Sequence, residues 1–295
     1  MASPDERFES EYRRLSEEGV DLVVGYGAGC FDFLGPIAVN HPDTRYFVLD
    51  CLGQLPPNVA QIWFASEEGS FLAGAAAALK SDTGTIGFIG GVDLPLIWAF
   101  QAGFEAGAHH VDPTIEVVAA YLTEYPDFSG FASPELASRA AEEMYRDGAD
   151  VVYHAAGFSG IGVFRAAVSG STPDRHLWAI GVDTDQYRSV LSLNPDFDPG
   201  SWQPHILTSM VKRYGRMTYI GVKEYSQGRF TPGLRVFGLA EGGVDIVYTG
   251  GFIDEFRPTI EELRVQIISG EIVVPSVPTD RELAAEDWPP ELIPP

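Results

Sequence analysis

Residues 78–95 run ALKSDTGTIGFIGGVDLP. A helix ends, the chain turns through Ser-Asp-Thr-Gly, a short apolar strand follows, and that strand stops on two glycines, an aspartate and a proline. Downstream, LIWAFQAGFEAGAHH reads as a helix, and upstream SFLAGAAAALK is another, rich in alanine. A strand set between two helices is the unit of a parallel sheet.

The same rhythm extends both ways. Residues 4–18 form a polar helix, VDLVVGYGAG a strand breaking on glycines, and RYFVLD a second strand. Beyond the opening stretch come the strand TIEVVAAYL, the helix PELASRAAEEMYRDG, the strand DVVYHAAG, the helix GIGVFRAAVSG and the strand HLWAIGVD. Right-handed crossovers are expected between the parallel strands. After Asp183 a long polar loop is followed by an expected helix near 209–227, short strands at LRVFGLA and VDIVYTG, a last helix TIEELRVQIISG, and an acidic, Pro-rich tail. No solenoid period is present.

At 295 residues the chain is long for one core and comfortable for two. Its net charge of -23, with lysine only at positions 80, 212 and 223, repels phosphate backbones and anionic lipid. Nucleic acid is therefore excluded as a partner, while a neutral small ligand is not. No apolar run is long enough for a membrane span, and the N-terminus has no signal-peptide core. Cys30 and Cys51 each follow a strand and are read as buried thiols, with a disulfide as the alternative.

Ligands of open parallel sheets bind beyond the carboxyl ends of the strands. There the chain places Asp32 between Phe31 and Phe33, then Cys51, Asp93, Phe158 with Ser159, and Asp183 with Asp185. Carboxylates, glycine turns and aromatics suit a ligand with hydroxyls and a planar group, although an Asp after a strand is also ordinary turn chemistry. GYGAG, with Asp50 some way downstream, imitates a dinucleotide fingerprint, but Cys30 stands where the third glycine belongs. A dehydrogenase is thereby disfavoured. A hydrolase fares no better, because Ile161 spoils the Gly-x-Ser-x-Gly pattern around Ser159. His109 and His110 diverge on a helix, no His/Cys cluster has metal spacing, and neither a metal nor a cofactor is expected. His154 either faces a cleft or is packed. Lys212 is either a solvated lysine or the partner of a strand-end carboxylate across a cleft.

Taken together, EEGSFLAGAAAAL, GTIGFIGGVDLPLI, FQAGFEAGA, DVVYHAAGFSGIGVF, AIGVDTDQ, LTSMVKR and IISGEIVVP resemble the basic membrane protein family, the purine-nucleoside-binding lipoproteins of bacterial ABC transporters. The resemblance implies a type I periplasmic-binding-protein-like α/β fold: two doubly wound parallel-sheet lobes joined by a hinge, here lacking the usual first strand. It places a first lobe at 1–112, a second at 113–203, a return helix at 204–236, closing strands and the last helix at 237–275, and the tail at 276–295. GFIGGVDLP would then be the last strand of the first lobe, with Gly90 and Gly91 easing a turn and Asp93 structural.

The same resemblance makes Asp32 a contact for base or ribose, Phe131 the stacking ring with Phe128 as its rival, Asp183 the acceptor of ribose hydroxyls, and Lys212 a further contact. Phe158, where the family has glycine, would narrow the pocket or add a stacking face. The implied protein is a purine-preferring nucleoside-binding component of ABC uptake, not an enzyme, with a permease as partner. A ligand-sensing cytoplasmic regulator on the same fold is the alternative. The location is extracytoplasmic and membrane-anchored if a leader precedes this sequence, and cytoplasmic if the chain is complete as written.

Overall fold

The computed structural model describes residues 4–27, 30, 33–51, 53–193, 199–286, 288, 289 and 293. Its elements, in order, are α1 (Pro4–Glu17), β1 (Leu22–Tyr26), α2 (Leu34–Asn40), β2 (Arg45–Leu49), β3 (Val59–Phe64), α3 (Ser66–Lys80), β4 (Thr85–Asp93), α4 (Pro95–Val111), β5 (Glu116–Glu124), α5 (Pro134–Arg146), β6 (Val151–Ala155), α6 (Gly160–Gly170), β7 (Trp178–Gly181), α7 (Gln186–Leu193), α8 (Pro199–Trp202), β8 (Ile206–Lys212), α9 (Tyr214–Ser226), β9 (Gly233–Phe237), β10 (Val244–Ile246), α10 (Arg257–Ile268) and α11 (Glu282–Ala285). A 3₁₀ turn at Phe128–Phe131 lies between β5 and α5.

Two sheets result. The first has the order β1-β2-β3-β9 and is parallel throughout. The second has the order β10-β8-β7-β6-β4-β5 and is parallel except for β10, which runs antiparallel to β8. This is the two-lobed, mixed α/β architecture expected from the sequence.

The strand of the opening stretch sits elsewhere than expected. β4 does not close the first sheet; it is hydrogen-bonded between β5 and β6 inside the second. Its residues face cores on both sides. Ile86 and Phe88 pack among the buried residues of α3 and α4, and Ile89 packs among those of α5 and α6, which is why the strand is apolar without alternation. The chain thus enters the second lobe before residue 112, the boundary read from the sequence. Gly90 and Gly91 do not make a turn either, since both lie within β4. A Cβ on Gly90 would collide with the Tyr121 ring, and one on Gly91 with the Phe131 ring; the glycine pair clears space for two aromatics.

Two further strands differ from expectation. β3 (VAQIWF) was not anticipated, and ILTSMVK, expected as the start of a helix, is strand β8, buried along its whole length. Short apolar runs fit either period, and only pairing with β7 and β10 decides the matter here. Consequently the return helix is α9 alone, and the two closing strands part company: β9 joins the first sheet and β10 the second.

The chain crosses between the sheets three times, at 64–66, 212–214 and 237–244. The crossings are stitched together, with Ala65 N–H donating to Phe237 O at 3.1 Å and Arg213 N–H to Gly243 O at 2.8 Å. Cys30 and Cys51, expected as thiols, form a disulfide with Cα atoms 5.8 Å apart. The parallel register of β1 and β2 brings their carboxyl ends, and with them the two cysteines, side by side.

Candidate functional site

The carboxyl ends of β1, β2, β6, β7 and β8 converge on a cleft of about 580 Å³, a size suited to a small molecule. Much of the lining is apolar: Leu96, Ile97 and Phe100 from α4, Phe131, Ala155 and Val182 elsewhere in the second lobe, and Val24 and Leu49 from the first. The charges in it are those of Asp50, Asp183 and Lys212.

Lys212 ends β8 at a crossing and is 6% exposed. Its Nζ lies 2.8 Å from Asp50 Oδ2 and 3.9 Å from Asp183 Oδ1. Asp50 follows β2 in the first lobe and Asp183 follows β7 in the second, so one ammonium group faces a carboxylate from each lobe. Tyr214, the first residue of α9, donates its hydroxyl to Asp50 Oδ2 at 2.7 Å. Rings flank the ammonium group, with Phe100 at 4.8 Å and Phe64 at 5.6 Å from Nζ; stripped of water, the cation depends on these partners.

Asp50 and Asp183 share a backbone feature. Their φ angles are 56° and 63°, and among described non-glycine residues these are the positive values. Aspartate tolerates the left-handed region better than most side chains, and such backbone gathers at ligand sites. Asp50 Oδ1 and Asp183 Oδ1 are both buried and accept no hydrogen bond from a described residue. Buried acceptors of this kind call for donors. Burial pushes the Asp183 carboxyl above the usual carboxylate range; Lys212 opposes that shift and Asp50 adds to it.

Of the residues singled out in the sequence, Phe131, Asp183 and Lys212 line this cleft together. Phe128 stands behind Phe131, ring centroids 6.3 Å apart, and is not part of the lining. Phe158 is 55% exposed and lies outside the lining as well. Asp32 falls outside the described residues. Asp93 accepts the Trp98 indole N–H at 2.5 Å and pairs with Arg281 at 3.2 Å. Asp185 accepts the Thr249 hydroxyl at 2.7 Å. Ser159 is a clasp: its hydroxyl donates to Gly130 O at 2.6 Å and accepts from Ser133 N–H at 2.7 Å, fixing the loop that carries Phe131. His154 is fully buried against Phe164 rather than facing the cleft.

Sequence reasoning missed Tyr214 and the α4 residues, and it saw Asp50 only as a dinucleotide decoy. The available signal was the one used for Asp183, a carboxylate directly after an apolar strand. Among the described residues no group of His, Cys, Asp and Glu could hold a metal ion, and no helix is long and apolar enough to cross a membrane.

With this geometry in place, likeness to known proteins becomes informative. Residues 2–277 match the family described as ABC transporter substrate-binding protein PnrA-like. The chain belongs to this family. It is a family of substrate-binding transport components, not of enzymes, and the resemblance read from the sequence motifs is thereby established. Basic membrane protein A1 of Borrelia garinii subsp. bavariensis is 33% identical over 272 residues, covering 90% of this chain and 74% of the relative. The ABC transporter nucleoside-binding protein BmpA of Lactococcus lactis subsp. cremoris is 31% identical over 278 residues, covering 91% and 75%. Among solved structures, an ABC transporter solute-binding protein from Aeropyrum pernix K1 aligns with a TM-score of 0.75 at 25% identity, over 97% of this chain and 86% of that one. A structure described as a transcriptional activator of the comK gene from Bacillus halodurans shares the fold, with a TM-score of 0.69 at 21% identity, over 90% and 84%.

Proposed function

We propose that this substrate-binding protein takes a nucleoside, with purines preferred, and delivers it to an ABC permease. The observation that carries the proposal is the pairing, in one cleft, of Asp50 Oδ1 and Asp183 Oδ1, which accept no hydrogen bond from a described residue, with an apolar lining that includes the ring of Phe131. Two acceptors close to one cation suit the vicinal hydroxyls of a ribose, and apolar lining that includes an aromatic ring suits a base. A free sugar would leave the apolar lining wet, and a free base would offer the two carboxylates no vicinal hydroxyl pair. The nucleoside-binding description of the Lactococcus relative agrees with this. Because Asp50 and Asp183 come from different lobes, a ligand that bonds both favours the closed arrangement over the open one.

An extracytoplasmic location accords with the Cys30–Cys51 disulfide, since such bonds persist in oxidising compartments and are rare in the cytosol. The same bond weighs against the regulatory alternative, which the likeness to the comK activator would otherwise permit. Titration calorimetry with adenosine, guanosine, inosine, uridine, cytidine, adenine and ribose tests the proposal. Purine nucleosides should bind most tightly, and equal or stronger binding of ribose or adenine alone would overturn it.

A further inference from the structure

The described residues of the acidic tail after α10 pack against the second lobe. Thr279–Arg281 forms a 3₁₀ turn that docks on the cleft-side ends of β4 and β5. The Arg281 guanidinium pairs with Asp93 at 3.2 Å and lies over the Tyr121 ring at 5.3 Å, and Asp280 Oδ1 accepts from Gln101 at 3.4 Å. Gln101 in turn accepts the Tyr121 hydroxyl at 2.5 Å. Further along, Trp288 lies edge-on to Trp98 at 6.0 Å and to Tyr125 at 5.1 Å. Tyr125 meets Phe128 edge-on at 5.9 Å, and Phe128 packs on Phe131 at 6.3 Å. A continuous file of rings therefore runs from the tail, through Trp288, Tyr125 and Phe128, to the wall of the cleft.

The loop that carries Phe131 is held from three directions. Gly91 gives the ring room, the Ser159 clasp ties the loop backbone to the start of α6, and the Trp288 file packs against it through Phe128. Building on the nucleoside proposal above, we propose that the tail is a strap and that Trp288 and Arg281 are positioning residues. Arg281 anchors the tail that bears Trp288, and Trp288, through Tyr125 and Phe128, sets the attitude of Phe131 and so the affinity for the planar part of the ligand. Neither lines the cleft themselves. The placement also accounts for Phe128: it is the middle of a relay rather than a rival stacking ring.

The experiment compares the full-length parent with Trp288→Ala, Trp288→Phe and Arg281→Gln. Amide hydrogen exchange is followed across residues 120–135, and calorimetry is run with adenosine, guanosine and inosine. Exchange in 125–131 should rise about tenfold in Trp288→Ala and in Arg281→Gln, while protection in β1, β2 and β3 stays at the parental level. Affinity for whichever nucleoside the parent binds should fall about tenfold in both variants and recover in Trp288→Phe. Unchanged exchange in 125–131 in Arg281→Gln and Trp288→Ala overturns the strap. So does a Trp288→Phe variant that loses affinity as fully as Trp288→Ala. If the parent binds none of the three nucleosides, the proposed function fails, and the exchange data alone decide whether the tail positions the loop.

Discussion

Lys212 Nζ and Asp50 Oδ2 stand 2.8 Å apart with both side chains almost wholly buried, one from the end of a second-lobe strand and the other from the end of a first-lobe strand. Breaking a buried pair leaves an uncompensated charge, at a cost of about 3–5 kcal/mol. Asp50→Ala should therefore destabilise the chain by about 3 kcal/mol, the lower end of that range, because Asp183 still faces the lysine. The double variant with Lys212→Met should recover part of the loss. Urea denaturation of the cycle measures this, and strictly additive losses would show that the two groups do not interact.

Asp183 supports a prediction about pH. Since burial raises its carboxyl, the ionised form proposed to accept a ribose hydroxyl is lost at a higher pH than for an ordinary Asp near about 3.9. Nucleoside affinity should weaken on acidification while the fold remains intact. Asp183→Asn should bind more weakly by about 1–3 kcal/mol and lose that pH dependence. A variant as tight as the parent at neutral pH would remove Asp183 from the site.

Gly91→Ala pushes a methyl into the Phe131 ring and to 3.1 Å from Ala156 Cα. Affinity should drop by about 1–3 kcal/mol, the scale of one stacking contact. Gly87→Ala, on the same strand, meets Met144 and, at 3.1 Å, Val152 Cγ2 instead, neither of them in the cleft lining, so whatever it costs in stability it should leave affinity unchanged. Equal effects of the two on binding would mean that Phe131 does not touch the ligand.

How much of this was legible beforehand varies by residue. The alternation of strands and helices carried the fold class, and the strand-end aspartates carried Asp183. What stayed hidden depended on non-local pairing. Nothing within GFIGGVD says which sheet it joins, because that follows from hydrogen bonds to residues 116–124 and 151–155. ILTSMVK shows no strand alternation because it is buried along its whole length between β7 and β10, with Thr208 and Ser209 as well as the apolar residues inside. Phe128 and Phe131 were indistinguishable by composition and spacing; the 3₁₀ turn alone aims one at the cleft. Asp50 misled because its spacing from the glycines of GYGAG imitates a dinucleotide fingerprint, one that Cys30 breaks.

Two buried groups make opposite predictions about stability. Burial pushes His154 down to about 4 and Glu67 up to about 8. The unfolded chain protonates His154 first, so its contribution is present above about pH 6.5 and is lost as the pH falls toward 4. Glu67 is held protonated in the fold, so its contribution is present below about pH 4.3 and is lost as the pH rises toward 8. His154→Phe should flatten the acid side of the stability profile and Glu67→Gln the alkaline side. Denaturation midpoints collected from pH 4 to 9 would expose a reversal of either sign.

The Cys30–Cys51 link closes a loop of sequence separation 21. In the chain-entropy picture such a loop contributes about 3 kcal/mol. Reduction, or the Cys30→Ser and Cys51→Ser double variant, should lower stability by that amount. Thiol titration of the protein secreted into an oxidising compartment should find neither cysteine reactive, and two free thiols there would refute the pairing.

The three stitched crossings carry a mechanical implication. Two bodies joined by a single strand can swing, twist and slide; bodies joined by three strands bonded side by side retain essentially one angle. Whatever reads this protein from outside therefore receives one variable, the width of the jaw. Lys212 sits on the pivot itself, where the least movement of its own brings a carboxylate from each jaw toward it or takes one away.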